Sequence, residues 1–171
     1  ITNVNKSFNL NMFLNETCKD AMNITDFVDS IKVTNDDLEY TGKNGYVEGI
    51  SNIFLKNLQN VEKHIRPLHC GDSKRDVFYI KHNNEWIKEK DDKPILTNAI
   101  KQIAKKNISQ ITEWTKQYPN CKNHHDKHNN CYLYIVMNSM DGECAEESAL
   151  NVSKIIKKLS KETIIHKMIE N

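Results

Sequence analysis

The chain has 171 residues, enough for one domain with a genuine core and no need of disulfide or metal staples. Its 24 basic and 23 acidic side chains leave a formal net charge of +1, which excludes a surface given over as a whole to gripping phosphates. Its apolar runs are too short to span a bilayer, and no basic start followed by an apolar stretch marks a secretion signal.

Residues 1–7 are polar with few anchors and predict a frayed lead-in. NLNMFL reads as a short strand or the first turn of a helix. From Asn15 the pattern is helical, with Cys18, Ala21 and Met22 at i, i+3 and i+4. Asn23 or Thr25 is placed to cap a second short helix carrying Phe27, Val28 and Ile31. Thr34 followed by Asp36 and Asp37 predicts another helix start, since acidic first-turn residues suit the dipole there. Asn44-Gly45 then predicts a tight turn, and Ile50, Ile53, Phe54, Leu58 and Val61 fall on one face of the next helix.

After Pro67 the texture changes. DVFYIK and EWIKE alternate in β-type residues around His82-Asn83-Asn84 and predict a β-hairpin. Such a hairpin is barely stable alone, so a helix must cover one face. Asp92 reads as an N-cap with Pro94 near the first helical position. Leu96, Ile100, Ile103, Ala104, Ile108, Ile111 and Trp114 then form a helical stripe. Residues 120–130 read as a polar, His-rich loop. CYLYIVMNSM is short for a helix and fits a buried strand. A last helix is expected from Ala145 to about Met168, with Leu150, Ile155 or Ile156, Leu159, Ile164 and Ile165 as its apolar positions.

This order predicts an α+β, predominantly α-helical fold, with several amphipathic helices packed around a central β-hairpin at about residues 76–89. Residues 8–171 are expected to form one globular domain. The opening on Ile1 rather than Met suggests an excised fragment of something longer. Five cysteines, an odd and scattered set, argue for a reducing compartment rather than a disulfide framework.

The richest concentration of chemistry lies between Arg66 and Trp86. Of the basic residues 22 are Lys and only two, Arg66 and Arg75, are Arg. Both stand beside His69, Cys70, Asp72 and Lys74. The guanidinium fork pairs bidentately with carboxylate or phosphate as an ammonium cannot. The segment therefore reads either as an anion-binding site or as a structural lock in which the two Arg pair with acids of neighbouring helices. An enzyme acting on a phosphodiester would use His69, Asp72 and Lys74, with the two Arg on the phosphate and a metal ion activating water. Strand neighbours point to opposite faces, so His69 beside Cys70 does not make a dyad. No GxSxG, HExxH, Walker A or GxGxxG pattern occurs.

A second cluster, Cys121, His124, His125, His128 and Cys131, offers zinc's preferred ligands within one loop, although its spacing matches no standard finger. No other cofactor is expected. Lys101, Lys105 and Lys106 on one long helix and Lys154, Lys157, Lys158 and Lys161 on the last read as solvated faces or as a weak nucleic-acid contact surface.

NMFLNETCKDAMNITDFVDSI, GYVEGISNIFLKNL, RPLHCGDSKRDVFYIK followed by Trp86, and AIKQIAKKNISQITEW resemble a domain of proteins from large nucleocytoplasmic DNA viruses, the mimivirus-like giant viruses. Arg66, Pro67, His69, Cys70, Asp72, Lys74, Arg75, Tyr79, Ile80, Lys81 and Trp86 fit its central words, whereas the 121–131 loop lies outside the pattern. The resemblance covers most of residues 8–118 and the final helix. It implies the C-terminal module of a viral C2H2 zinc-finger protein, located in the host cytoplasm, virus factory or virion, whose finger would contact DNA. It brings no enzymatic activity. The expected function is protein interaction or self-association, away from membranes, in viral genome handling or regulation. A metal-dependent phosphodiesterase and a direct nucleic-acid-binding module are the alternatives.

Overall fold

Residues 8–165 are described by the computed structural model; the expected lead-in over residues 1–7, and the end of the last helix expected near Met168, lie outside them. Short helix α1 (Leu10–Met12) runs into a π-helical turn, Phe13–Thr17, and α2 (Ile24–Ser30), α3 (Asn35–Asn44) and α4 (Tyr46–Gln59) follow. The helix expected from Asn15 onwards stops by Cys18. There the Cys18 carbonyl accepts from the Ala21 amide at 3.1 Å, a three-residue turn rather than a helical step, and from Trp86 Nε1 at 3.0 Å, while the Lys19 carbonyl accepts from Lys81 Nζ at 3.0 Å.

Thr34 caps α3 through a capping box with Asp37, as its sequence predicts. The break at Gly45 is a single residue at φ 93°, a conformation open to Gly at little cost, so α4 starts at once. Helix α5 (Pro94–Gln117) has Pro94 in its first turn. Its N-cap is Lys93 in a left-handed conformation, not Asp92, because the buried carboxylate of Glu89 already serves the helix end by accepting from the Leu96 amide at 2.9 Å.

The expected hairpin is part of a three-stranded antiparallel sheet, β1 (Leu68–Asp72), β2 (Val77–His82) and β3 (Glu85–Lys88), in the order β1-β2-β3. His82 belongs to β2, which leaves the two-residue turn Asn83-Asn84 with both φ positive, as a type I′ hairpin requires. Asn84 and Asn23 exchange hydrogen bonds of 2.7 and 2.9 Å, tying this turn to the start of α2.

Helix α6 (Asn129–Asn138) replaces the buried strand that CYLYIVMNSM suggests, and α7 spans Ala145–Glu162. After α7 the chain straightens: Ile164 forms a parallel bridge with Cys70, so Ile164 and Ile165 do not extend the helix. Leu150, expected inside, is 54% exposed.

The main core brings together α2, α4, α5, α7 and one face of the sheet, from Phe27, Ile50 and Phe54 to Phe78, Ile80, Ile100 and Ile155. A second cluster, Leu38, Trp114, Cys121 and Ile135, joins α3, the C-terminal half of α5, the loop and α6. Helix α5 runs through both. Of its expected stripe, Ile108 lies outside, 49% exposed. The architecture is α+β and predominantly helical.

Candidate functional site

Pairing places Leu68 opposite Ile80, His69 opposite Tyr79 and Lys81 opposite Trp86. Alternation then sends Leu68, Cys70, Phe78 and Ile80 into the main core and His69, Lys81 and Trp86 to the other face. That outer face is covered by the N-terminal segment. Phe13 meets His69 edge-on at 5.2 Å, the Trp86 ring lies 5.7 Å from it, and Cys18 Sγ is 3.8 Å from His69 Nε2. His69 is 2% exposed. Burial, and then the positive charges of Lys63 and Arg66, push its pKa down to about 4. On the opposite face burial raises the Cys70 thiol to about 11.

Asp72, Lys74 and Arg75 stand apart from this imidazole in the β1–β2 turn. One oxygen of Asp72 accepts from the amides of Lys74 and Arg75 at 3.0 and 3.2 Å, a turn built by the side chain on its own backbone. The expected groups are therefore divided between a buried imidazole and an exposed turn. Nor, among the described residues, do the two Arg pair with acids of neighbouring helices. Arg66 Nε donates to the Val61 carbonyl at 2.9 Å, and the Arg75 side chain, 84% exposed, comes only within 3.9 Å of Asp72 in its own turn. Locking falls to other residues: Lys81 and Trp86 hold the N-terminal segment, and Lys157 Nζ reaches the Ser73 carbonyl at 2.7 Å and Asp76 at 3.2 Å.

The 121–131 loop separates its five candidate ligands. Cys121 is buried in the second apolar cluster and Cys131 packs at its edge. His128 Nδ1 is 3.1 Å from Asp126, and its ring lies on Tyr118. His124 and His125 stack on each other in solvent. Among the described residues no three His, Cys, Asp or Glu side chains are grouped to hold a metal.

The lysines divide in the same way. Lys106 Nζ donates to the carbonyls of Val28, Asp29 and Ile31 at 2.7, 3.1 and 2.9 Å, closing the C-terminal end of α2, where a cation is favoured. Lys158 pairs with Glu48 at 2.6 Å, and Lys157 holds the β1–β2 turn. Lys101, Lys105, Lys154 and Lys161 are exposed.

The surface that the sequence did not point to belongs to α6. Cys131, Ile135 and Ser139, spaced at i, i+4 and i+8, face inward. Gly42 lets α6 approach α3 closely, since a Cβ there would stand 2.8 Å from Ile135 Cγ1. Asn107 Nδ2 reaches the buried Ser139 hydroxyl at 3.0 Å, and Asn138 Nδ2 the Gly42 carbonyl at 2.8 Å. On the opposite side Leu133, Tyr134 and Met137, with Met140 just past the helix end, are 54, 55, 58 and 63% exposed. Apolar residues on both sides of a helix usually mean burial on both sides, and here, among the described residues, one side is left exposed. The signal was present as two interleaved apolar stripes, but reading the run as a strand hid it.

Met137 and Met140 also line a groove of about 680 Å³ between the start of α4, the end of α6 and the start of α7. Glu48, Glu143 and Glu147 line it as well, and none of its lining residues is Lys, Arg or His. Tyr46 closes it with a hydroxyl that is buried and, among the described residues, without a hydrogen-bond partner. Burial, and then Asp141, raise that phenol to about 12, so it stays a neutral hydroxyl.

Fold and surface together define a helical α+β protein with one uncovered apolar helix face. Comparison with protein-family models, curated proteins and solved structures finds no match. Among the described residues no helix is long and apolar enough to cross a membrane.

Proposed function

We propose that this chain is a protein-association domain, and that the outer face of α6 is its contact surface. One observation carries the reading: Leu133, Tyr134 and Met137 on α6, with Met140 just past its end, are large apolar side chains each more than half exposed, on an element whose other side is anchored in the second core. Exposed apolar patches of this kind mark interaction sites. Tyr and Met are enriched where interfaces form, and Leu adds apolar area. A rigid support behind the patch lowers the ordering cost of binding.

The resemblance of the Arg66–Trp86 words to giant-virus zinc-finger proteins gives this domain its setting. It would bring copies or partners together beside a DNA-contacting finger carried elsewhere in the protein, in viral genome handling or regulation. The division of His69 from Asp72, Lys74 and Arg75 favours association over phosphodiester chemistry, because the imidazole is buried against the N-terminal segment while the other three lie in an exposed turn.

Light scattering over a range of protein concentrations tests the proposal, together with capture of partners by the full-length protein in cells. The wild type should gain mass or retain partners, and a Leu133→Glu/Tyr134→Glu variant with unchanged circular dichroism should lose both. A strictly monomeric wild type whose partner recovery equals that of the variant overturns the reading.

A further inference from the structure

We infer that the acidic groove beside α6 receives the lysine-bearing face of α5 from a second copy of this chain, joining copies head to tail. The inference rests on the reading of α6 as an association surface and names its occupant.

The groove states what it needs. Glu48 is paired with Lys158, whereas Glu143 and Glu147 have no ion-pair partner among the described residues. Glu147 only accepts from the Glu143 amide at 2.8 Å. Glu147 sits in the first turn of α7, where the helix dipole favours an acid. The dipole does not account for a groove lined by carboxylates and methionines with no cation of its own. Nor does it account for the unpartnered Tyr46 hydroxyl, 93% buried at the groove wall. An unmade hydrogen bond at such depth costs on the order of 1–3 kcal/mol. A fitting occupant carries cations for Glu143 and Glu147 and an apolar side chain for Met137 and Met140.

Helix α5 displays that combination. Lys101, Lys105, Ile108 and Thr112 follow at i, i+4, i+7 and i+11, so they share one stripe, and all four are exposed. Neither Lys101 nor Lys105 forms an ion pair or a side-chain hydrogen bond among the described residues. Ile108 is the one member of the apolar stripe of α5 left 49% exposed. Lys106 is not available, being committed to the carbonyls at the end of α2, and Lys116 is paired with Glu113. A helix laid in a groove is a common mode of recognition, with anchors at helical spacing. Groove and stripe are different surfaces of one molecule, so their contact is heterologous and builds rings or open chains rather than a closed two-fold dimer. Its charges lie at the surface, so salt should weaken it.

Two variants that each neutralise one side test this: Glu143→Gln/Glu147→Gln and Lys101→Gln/Lys105→Gln. Gln can still accept the Glu143 amide bond, and all four positions are exposed, so both should keep the wild-type circular dichroism. Wild-type mass should rise with concentration and fall as sodium chloride is added. Each variant alone should remain monomeric. An equimolar mixture should form a dimer and go no further, since each variant supplies the surface the other lacks. If both variants assemble like the wild type while Leu133→Glu/Tyr134→Glu does not, the occupant is wrong and the association reading stands. A mixture that stays monomeric where the wild type assembles overturns the inference. So does a monomeric wild type whose groove binds a synthetic Leu/Lys helical peptide, which would assign the groove to a foreign basic segment.

Discussion

His69 sits against Phe13 and Trp86 with its Nε2 facing the Cys18 sulfur, and its pKa is about 4 against an ordinary 6.5. The depressed value makes the folded state bind fewer protons than the unfolded chain at mildly acidic pH. Stability from this residue is therefore complete above about pH 6.5 and is lost as pH falls from there towards the folded pKa of about 4. Between about pH 7 and about pH 5, above most carboxylate titration, the expected loss is about 2 kcal/mol. Urea titrations at the two pH values should show it, and His69→Gln should lose most of that difference. An undiminished pH effect in His69→Gln would falsify the assignment. The sequence marks His69 as a reactive group. Its real use, as a neutral wedge under the N-terminal segment, depends on Phe13 and Cys18, more than fifty positions away, and no local pattern carries that. What was legible was conditional: on a strand, alternation would separate His69 from Cys70.

Helix α5 shows how an element is fixed from outside its own span. Its cap position is Lys93 at φ 53°, a residue with no side-chain acceptor for the first amides. Glu89, at the end of the sheet, supplies that acceptor to Leu96 at 2.9 Å and to Lys90 at 3.0 Å, and its carboxylate is favoured by the helix dipole. Glu89→Ala leaves a buried amide unpaired and should cost on the order of 1–3 kcal/mol, whereas Glu89→Gln, which keeps an acceptor, should cost less. Equilibrium unfolding gives both numbers, and faster exchange of the Leu96 amide locates the effect. Equal losses in the two variants would mean that the acceptor is not what matters. The stripe and Pro94 made α5 legible, and Thr34 followed by Asp36 and Asp37 did the same for the start of α3. Strand β1 was not, because LHCGD has too little β-type pattern to announce itself and becomes a strand only by pairing with β2. Helix α6 was missed for the opposite reason: β-branched and aromatic residues dominate its apolar run, and such a run has the composition of a buried strand.

At the scale of the whole molecule, both ends of the described chain converge on the small sheet. Residues 8–20 cover its outer face, and residues 163–165 close the edge of β1. There Cys70 N–H donates to the Thr163 carbonyl at 2.9 Å, and Ile165 N–H to the Cys70 carbonyl at 2.8 Å. An open strand edge invites pairing with other chains, so this short return does for β1 what a fourth strand would do. It also seals Cys70, which is wholly buried against the core where Ile164 packs. A chain ending at Glu162 should therefore open this edge without dismantling the helices. Cysteine alkylation followed by mass spectrometry separates local from global opening. In the intact chain the exposed Cys144 should react first, while Cys18, Cys70 and Cys121 are protected. In the shortened chain Cys70 should join the reactive set, with Cys18 and Cys121 still protected by the N-terminal segment and the second core. Reaction of all three together would mean that residues beyond Glu162 hold the entire fold. No change at Cys70 would mean that core packing, rather than residues 163–165, is what shields its thiol.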